Sequence, residues 1–238
     1  MKKIIFGTII MAVIGGYFIL KQPTLQKANI FHNSEFIKND IYLQEYQLSY
    51  GFSRDDVDKM YKHHEFIAIV KIDKLRPAAT YRENIDEYIL PFTPGDATVL
   101  NVLKGNFKSE KISFIRLGGT VPFSEYEKSF YEEARSKFNE TIPEKKKSTM
   151  FVKNMAVHDI EIEEGKTYLV YMNRSDEFHE KNEYTIEAFE YGLREISMTK
   201  SDSKNLDLQT ISIKNNKTGE FEALNIAVSK MITKNTPK

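Results

Sequence analysis

The sequence predicts a mainly β fold of the α+β kind. We read it as a five-stranded Greek-key barrel with one helix between strands 3 and 4, standing behind an N-terminal transmembrane helix. Three observations carry that reading. Residues 96–119 hold two β-rich runs joined through the turn Lys104-Gly105-Asn106, the pattern of an antiparallel hairpin. Residues 65–73 are apolar on both faces at their centre, as in a strand buried from two sides. Lys2-Lys3 is followed by an uncharged run of apolar or small residues from 4 to 20.

That N-terminal run would span about 26 Å as a helix, at about 1.5 Å per residue. The length is near the lower limit for crossing a bilayer and long for the apolar region of a signal peptide. Lysines bracket it and no face is polar, which argues against a buried core helix. Small-x-small cleavage patterns are poorly matched after it, since Ala28 is preceded at two residues by Gln26. The expectation is therefore an uncleaved anchor at 1–21, with a cleaved signal peptide as the alternative. Lys2, Lys3 and the amino terminus favour an inner N-terminus and an extracytoplasmic bulk.

Residues 22–50, with Pro23, Asn29, Asn33 and Asn39 and no clear period, read as a stalk. Residues 51–238 form the expected extracytoplasmic barrel domain with a C-terminal extension. Ser53 to Asp56 resembles a capping box, and Val57, Met60, Tyr61 and His64 share one helical face. Residues 74–95, rich in Pro and aromatics, read as a long connection. Ser124 and Glu127 are spaced as a second capping box. A helix over 124–138 follows, with Phe123, Tyr126, Phe130, Ala134 and Phe138 as its apolar stripe. Glu125, Lys128, Glu132 and Arg135 would form its solvated side. Residues 166–172 read as a strand. Residues 184–191 alternate and predict a half-exposed strand, interrupted by Gly192, with 193–198 continuing beyond a bulge. Residues 208–213 and 220–223 flank Asn215-Asn-Lys-Thr-Gly219 as a second hairpin. Asn225 would cap a terminal helix.

Three strands, a helix and two strands is the order of an OB-type barrel. The strings Thr98-Val-Leu-Asn-Val-Leu-Lys-Gly105, Ile112-Ser-Phe-Ile-Arg-Leu-Gly-Gly119 and Gly165-Lys-Thr-Tyr-Leu-Val-Tyr171 add to this. They resemble a group of secreted or membrane-anchored Gram-positive proteins. That group is similar in turn to the OB barrels of netrin modules and tissue metalloproteinase inhibitors. The resemblance spans residues 65–195 and implies a fold. It does not imply inhibition, because such inhibitors rely on an N-terminal Cys and disulfides, and this chain has no cysteine.

Composition excludes several functions. Without cysteine there is no disulfide, thiolate metal site, Cys nucleophile or lipoprotein anchor. Lys and Arg total 34, as do Asp and Glu. With Lys2, Lys3 and Lys21 set aside, the remainder carries 31 basic against 34 acidic residues, a net of −3. Nucleic acid is not an expected partner of such a chain.

His63-His64-Glu65 invites a metal reading. A zincin places a second His three residues after the Glu, and here Ala68 stands there instead. Solvation at a helix end is the simpler reading. Asp159, Glu161, Glu163 and Glu164 offer oxygen ligands for calcium, but their alternation fits an exposed strand face better. The basic loop 144–148 fits a surface loop, with anionic lipid as the alternative. Tyr81, Tyr88 and Phe92 would line a binding face or close the core. No Gly-x-Ser-x-Gly or P-loop is present. No catalytic, cofactor-binding or metal residue is therefore assigned. The expectation is a non-enzymatic binding or accessory module with the membrane and an envelope protein or peptide as partners. A cell-envelope hydrolase with an acidic site is the alternative.

Overall fold

In the computed structural model, residues 33–38, 41–47, 57–83, 85–175, 182–197, 208 and 211–224 are described. The expected anchor, the first capping box and the terminal helix lie outside them. Among the described residues no helix is long and apolar enough to cross a membrane. The fold is mainly β, and its strands fall into two units.

Among the described residues, the first unit comprises 33–38, 41–47, 76–83, 85–94 and 116–157. Its four-stranded sheet contains β1 (Asn33–Lys38), β2 (Ile41–Tyr46), β7 (Gly119–Pro122) and β8 (Phe151–Ala156), in the order β1-β2-β8-β7. Residues 33–46, expected in a stalk, thus form an antiparallel hairpin, and β2 continues parallel to β8. They are not a stalk: Tyr42, Gln44 and Tyr46 alternate along β2, share one strand face and are buried. The same unit holds β4 (Ala79–Arg82) and the start of β5 (Glu87–Lys104). The expected long connection is therefore a second hairpin.

The expected helix over 124–138 is interrupted. A helical turn α2 (Phe123–Tyr126) runs into a 3-10 turn at Glu127–Ser129. Phe130 is extended, with φ −125° and ψ 148°, and α3 starts only at Glu132, ending at Thr141. Consecutive aromatics at Phe130 and Tyr131 are weak helix formers. The Ser129 hydroxyl donates to the Ile89 carbonyl at 2.6 Å. Arg135, exposed as expected, donates from Nε to the Glu127 carbonyl at 2.8 Å, an oxygen that also accepts the Phe130 N–H at 3.2 Å. The capping box is not formed. Pro122 is the N-cap and gives no side-chain bond, and the Phe123 N–H donates to the Met150 carbonyl instead. The stripe nevertheless holds together in space. Phe123, Tyr126 and Phe138 are buried with Tyr42, Val121, Ile142, Met150 and Val152, and Phe130 packs half-buried against them.

Among the described residues, the second unit comprises 57–75, 95–115, 158–175, 182–197, 208 and 211–224. Here β3 (Phe66–Leu75) pairs with β5 on one side and with β9 (Thr167–Arg174) on the other. β9 pairs onward with β10 (Glu183–Ile186), and β10 with β6 (Lys111–Leu117), which returns to β5. The hydrogen-bonded circuit β3-β5-β6-β10-β9-β3 is closed. Phe66, Ala68, Val70 and Ile72 face one core cluster, joined by residues from every strand of that circuit. Ile67 and Ile69 face a second cluster, with Leu169 and Tyr171. The central-strand reading of 65–73 is therefore correct. Val70 belongs to the first of these clusters.

The second cluster is completed by Met60 of α1 (Val57–His63), by Ile213 of β12 (Ser212–Lys214), which pairs with β13 (Phe221–Ala223), and by Ile211 and Leu224 at the ends of that hairpin. Residues 184–191 depart from expectation. β10 is buried throughout, not half exposed, because its polar side also finds buried partners: Ser175 and Thr185 hydroxyls lie 2.7 Å apart. A short turn α5 (Phe189–Gly192) then leads to β11 (Leu193–Ser197), which pairs with β9 just beyond β10. The interruption is larger than a simple bulge.

Candidate functional site

Two groups of side chains stand out, one exposed and one buried. The exposed one is the β4–β5 hairpin of the first unit. Tyr81 and Tyr88 lie directly opposite each other in the register, the arrangement in which cross-strand side chains interact most. Their rings are 5.0 Å apart and tilted by 49°. Both remain more than a third exposed, at 38% and 37%. The Tyr81 hydroxyl donates to an Asp86 carboxyl oxygen, a bond that raises its pKa. Asp86 takes a left-handed conformation at φ 52°, which Asp tolerates in tight hairpin turns. Lys128 lies 5.3 Å over the Tyr88 ring and pairs with Glu125 at 2.8 Å. Phe92 is separated from this pair. It is 4% exposed and closes the core below, with the Arg82 guanidinium 5.2 Å over its ring. The core reading therefore fits Phe92 alone of the three, and Tyr81 and Tyr88 stay exposed.

The buried group gathers around His64 in the second unit. His64 is fully buried, so the expected solvation at the helix end does not occur. Its Nδ1 lies 2.8 Å from the Met60 carbonyl. A carbonyl only accepts, so Nδ1 carries the proton and Nε2 presents a lone pair. That Nε2 lies 3.7 Å from Glu187 Oε2. Asn173 joins the group, donating from Nδ2 to Glu187 Oε2 at 3.0 Å and accepting the Glu65 N–H on Oδ1 at 2.8 Å. Burial depresses His64 to about 4, helped by the charges of His63 and Lys104. Burial raises Glu187 to about 8, against the Asn173 hydrogen bond. The pair is thus neutral at pH 7, a carboxylic acid beside a neutral imidazole. Lys104 donates from Nζ to the carbonyls of Tyr61 and His64, closing the C-terminal end of α1. Glu187, Asn173 and Lys104 were not singled out in the sequence. Glu187 sits in an alternating run, where an acid reads as solvent-facing.

The remaining candidates are dispersed. Asp159 accepts its neighbour's N–H at Ile160, Glu163 pairs with Lys166 at 2.8 Å, and Glu164 accepts the Leu75 N–H at 2.6 Å. Among the described residues no three His, Asp or Glu converge in a metal-binding group. Residues 144–147 form a helical turn in which Lys147 pairs with Glu144. Comparison with protein-family models, curated proteins and solved structures returned no match for this chain.

Proposed function

We propose that this chain is a non-enzymatic binding or accessory module of OB type, held outside the cell membrane by residues 4–20. The observation that carries the reading is the exposed Tyr81–Tyr88 pair. It sits on a hairpin within the chain segment linking the paired residues 66–75 to 95–104. OB modules bind through the face of their second and third strands and through loops that include the connection between the first two. The closed circuit of five strands, with its single cluster fed by all five, supports the barrel part of the reading. The helices between β6 and β9 fit the same plan. The lysine-flanked apolar run supports the anchor and the Gram-positive envelope as its setting. A partner protein or peptide of the envelope is the ligand this reading calls for.

A hydrolase would need adjacent carboxylates or histidines open to substrate. His64 and Glu187, which do come together, are sealed in the core.

Cross-linked envelope pull-down with full-length protein tests the binding reading. One envelope partner should be enriched by the wild type and lost with Tyr81→Ala plus Tyr88→Ala. Equal recovery by both proteins would remove the hairpin from the reading. Fractionation tests the anchor. The full-length protein should pellet with membranes, resist alkaline carbonate and lose its domain to external protease. A shortened soluble form in the medium would show a cleaved signal instead.

A further inference from the structure

We propose that the Glu187 carboxyl and the His64 imidazole form a proton-held latch that keeps helix α1 docked in its unit and loosens it as the pair gives up its proton. The inference stands apart from the binding reading.

The geometry demands a proton. His64 Nδ1 is committed to the Met60 carbonyl, so Nε2 can only accept. Nε2 is buried and has no hydrogen-bond partner, and Glu187 Oε1 has none either. Two acceptors facing each other in a dry interior repel unless one is protonated, and an unsatisfied buried group is costly. A proton on Glu187 turned toward Nε2 removes that conflict. One chain of polar contacts then links α1 to β9 and to the segment after β10: Met60 to His64, His64 to Glu187, Glu187 to Asn173, Asn173 to the Glu65 N–H.

The groups facing the pair are His63 and Glu65 from the end of α1, Lys104 of β5, and Asn173 and Tyr171 of β9. Arg194 of β11 acts on Tyr171. Lys104 disfavours a charged His64, and Glu65 disfavours a charged Glu187. Both therefore oppose an ion pair and favour the neutral, protonated state. Strain adds to the latch. Ala188 and Phe189, which follow Glu187 directly, both have left-handed φ, at 62° and 45°. Such conformations persist only where the surroundings enforce them. Met60, at 2% exposure, covers the face of Ile67, Ile69 and Tyr171. Loosening α1 would uncover that apolar face.

Hydrogen exchange on the full-length chain tests the latch, with rates corrected for intrinsic pH dependence. Protection of the α1 amides should fall about twentyfold between pH 6.5 and 8.5, because the freed Glu187 ionises at its ordinary value. Amides of β3 should hold. In Glu187→Gln, which keeps the shape without the titration, α1 protection should not change with pH. Unchanged protection of wild-type α1 overturns the proposal, as does an equal fall in Glu187→Gln. Should that variant not fold, carbon NMR of the wild-type Glu187 carboxyl decides. A neutral acid at pH 6.5 supports the latch, and an ionised one overturns it.

Discussion

Gly192 packs so closely beneath Glu187 that a Cβ on it would fall 1.5 Å from the Glu187 carbonyl oxygen. That obstacle is backbone and cannot swing away. Gly192→Ala should therefore destabilise by about 3 kcal/mol or more, at the upper end for overpacking. Gly165 is the control. It needs a left-handed backbone, at φ +80°, but nothing lies within 4 Å of its added Cβ. Gly165→Ala should cost about 1 kcal/mol, the conformational term alone. Urea denaturation of both variants checks the pair. Equal losses would contradict the steric origin at Gly192.

The stability of the second unit should depend on pH in a particular shape. Glu187 holds its proton more tightly folded, at about 8, than at its ordinary 4.5. Its contribution is full below pH 4.5 and is lost as pH rises to 8. His64 holds its proton less tightly folded, at about 4, than at 6.5. Its contribution is full above 6.5 and is lost as pH falls to 4. Between pH 4.5 and 6.5 the two slopes oppose and the pair's contribution should be level. From 6.5 to 8 only Glu187 remains, and stability should fall by about 2 kcal/mol. In Glu187→Gln the level region should become a slope rising with pH. Denaturant midpoints across pH would show it.

The aromatic cluster of the first unit predicts a graded series. Phe138 is 3% exposed and meets the rings of Phe123, Tyr126 and Phe130. Phe138→Ala should cost about 3–5 kcal/mol. Phe130→Ala, at a half-buried position, should cost less. Glu132→Ala, at an exposed one, should change stability by about 0.5 kcal/mol or less. Thermal melts rank the three, and a large effect at Glu132 would mean that α3 is turned the other way.

The Tyr126 hydroxyl is buried and lies 3.4 Å from Asn154 Nδ2, and burial holds its pKa well above the tyrosine range. Tyr126→Phe removes that partner from a buried amide and should destabilise by about 1–2 kcal/mol. The Tyr126 signal should also be absent from an alkaline spectrophotometric titration of the folded protein. Its appearance at an ordinary phenol pKa would place the ring in water.

Local pattern by itself determined β3, β6, β9 and the hairpin around Asn215, because period and turn chemistry act within a few residues. It also supplied the aromatic stripe from Phe123 to Phe138, and it pointed to Tyr81 and Tyr88. Only the tertiary structure decided that the stripe is broken at Phe130, since the Ser129 hydroxyl is drawn to the Ile89 carbonyl of β5 and Arg135 of α3 reaches back to the Glu127 carbonyl. Only it showed that residues 33–46 add strands to a sheet, because β2 finds its parallel partner in β8, far along the chain. The burial of Glu187 was equally out of reach. An acid in an alternating run reads as wet until a distant imidazole and amide are folded against it, and that meeting exists only in three dimensions.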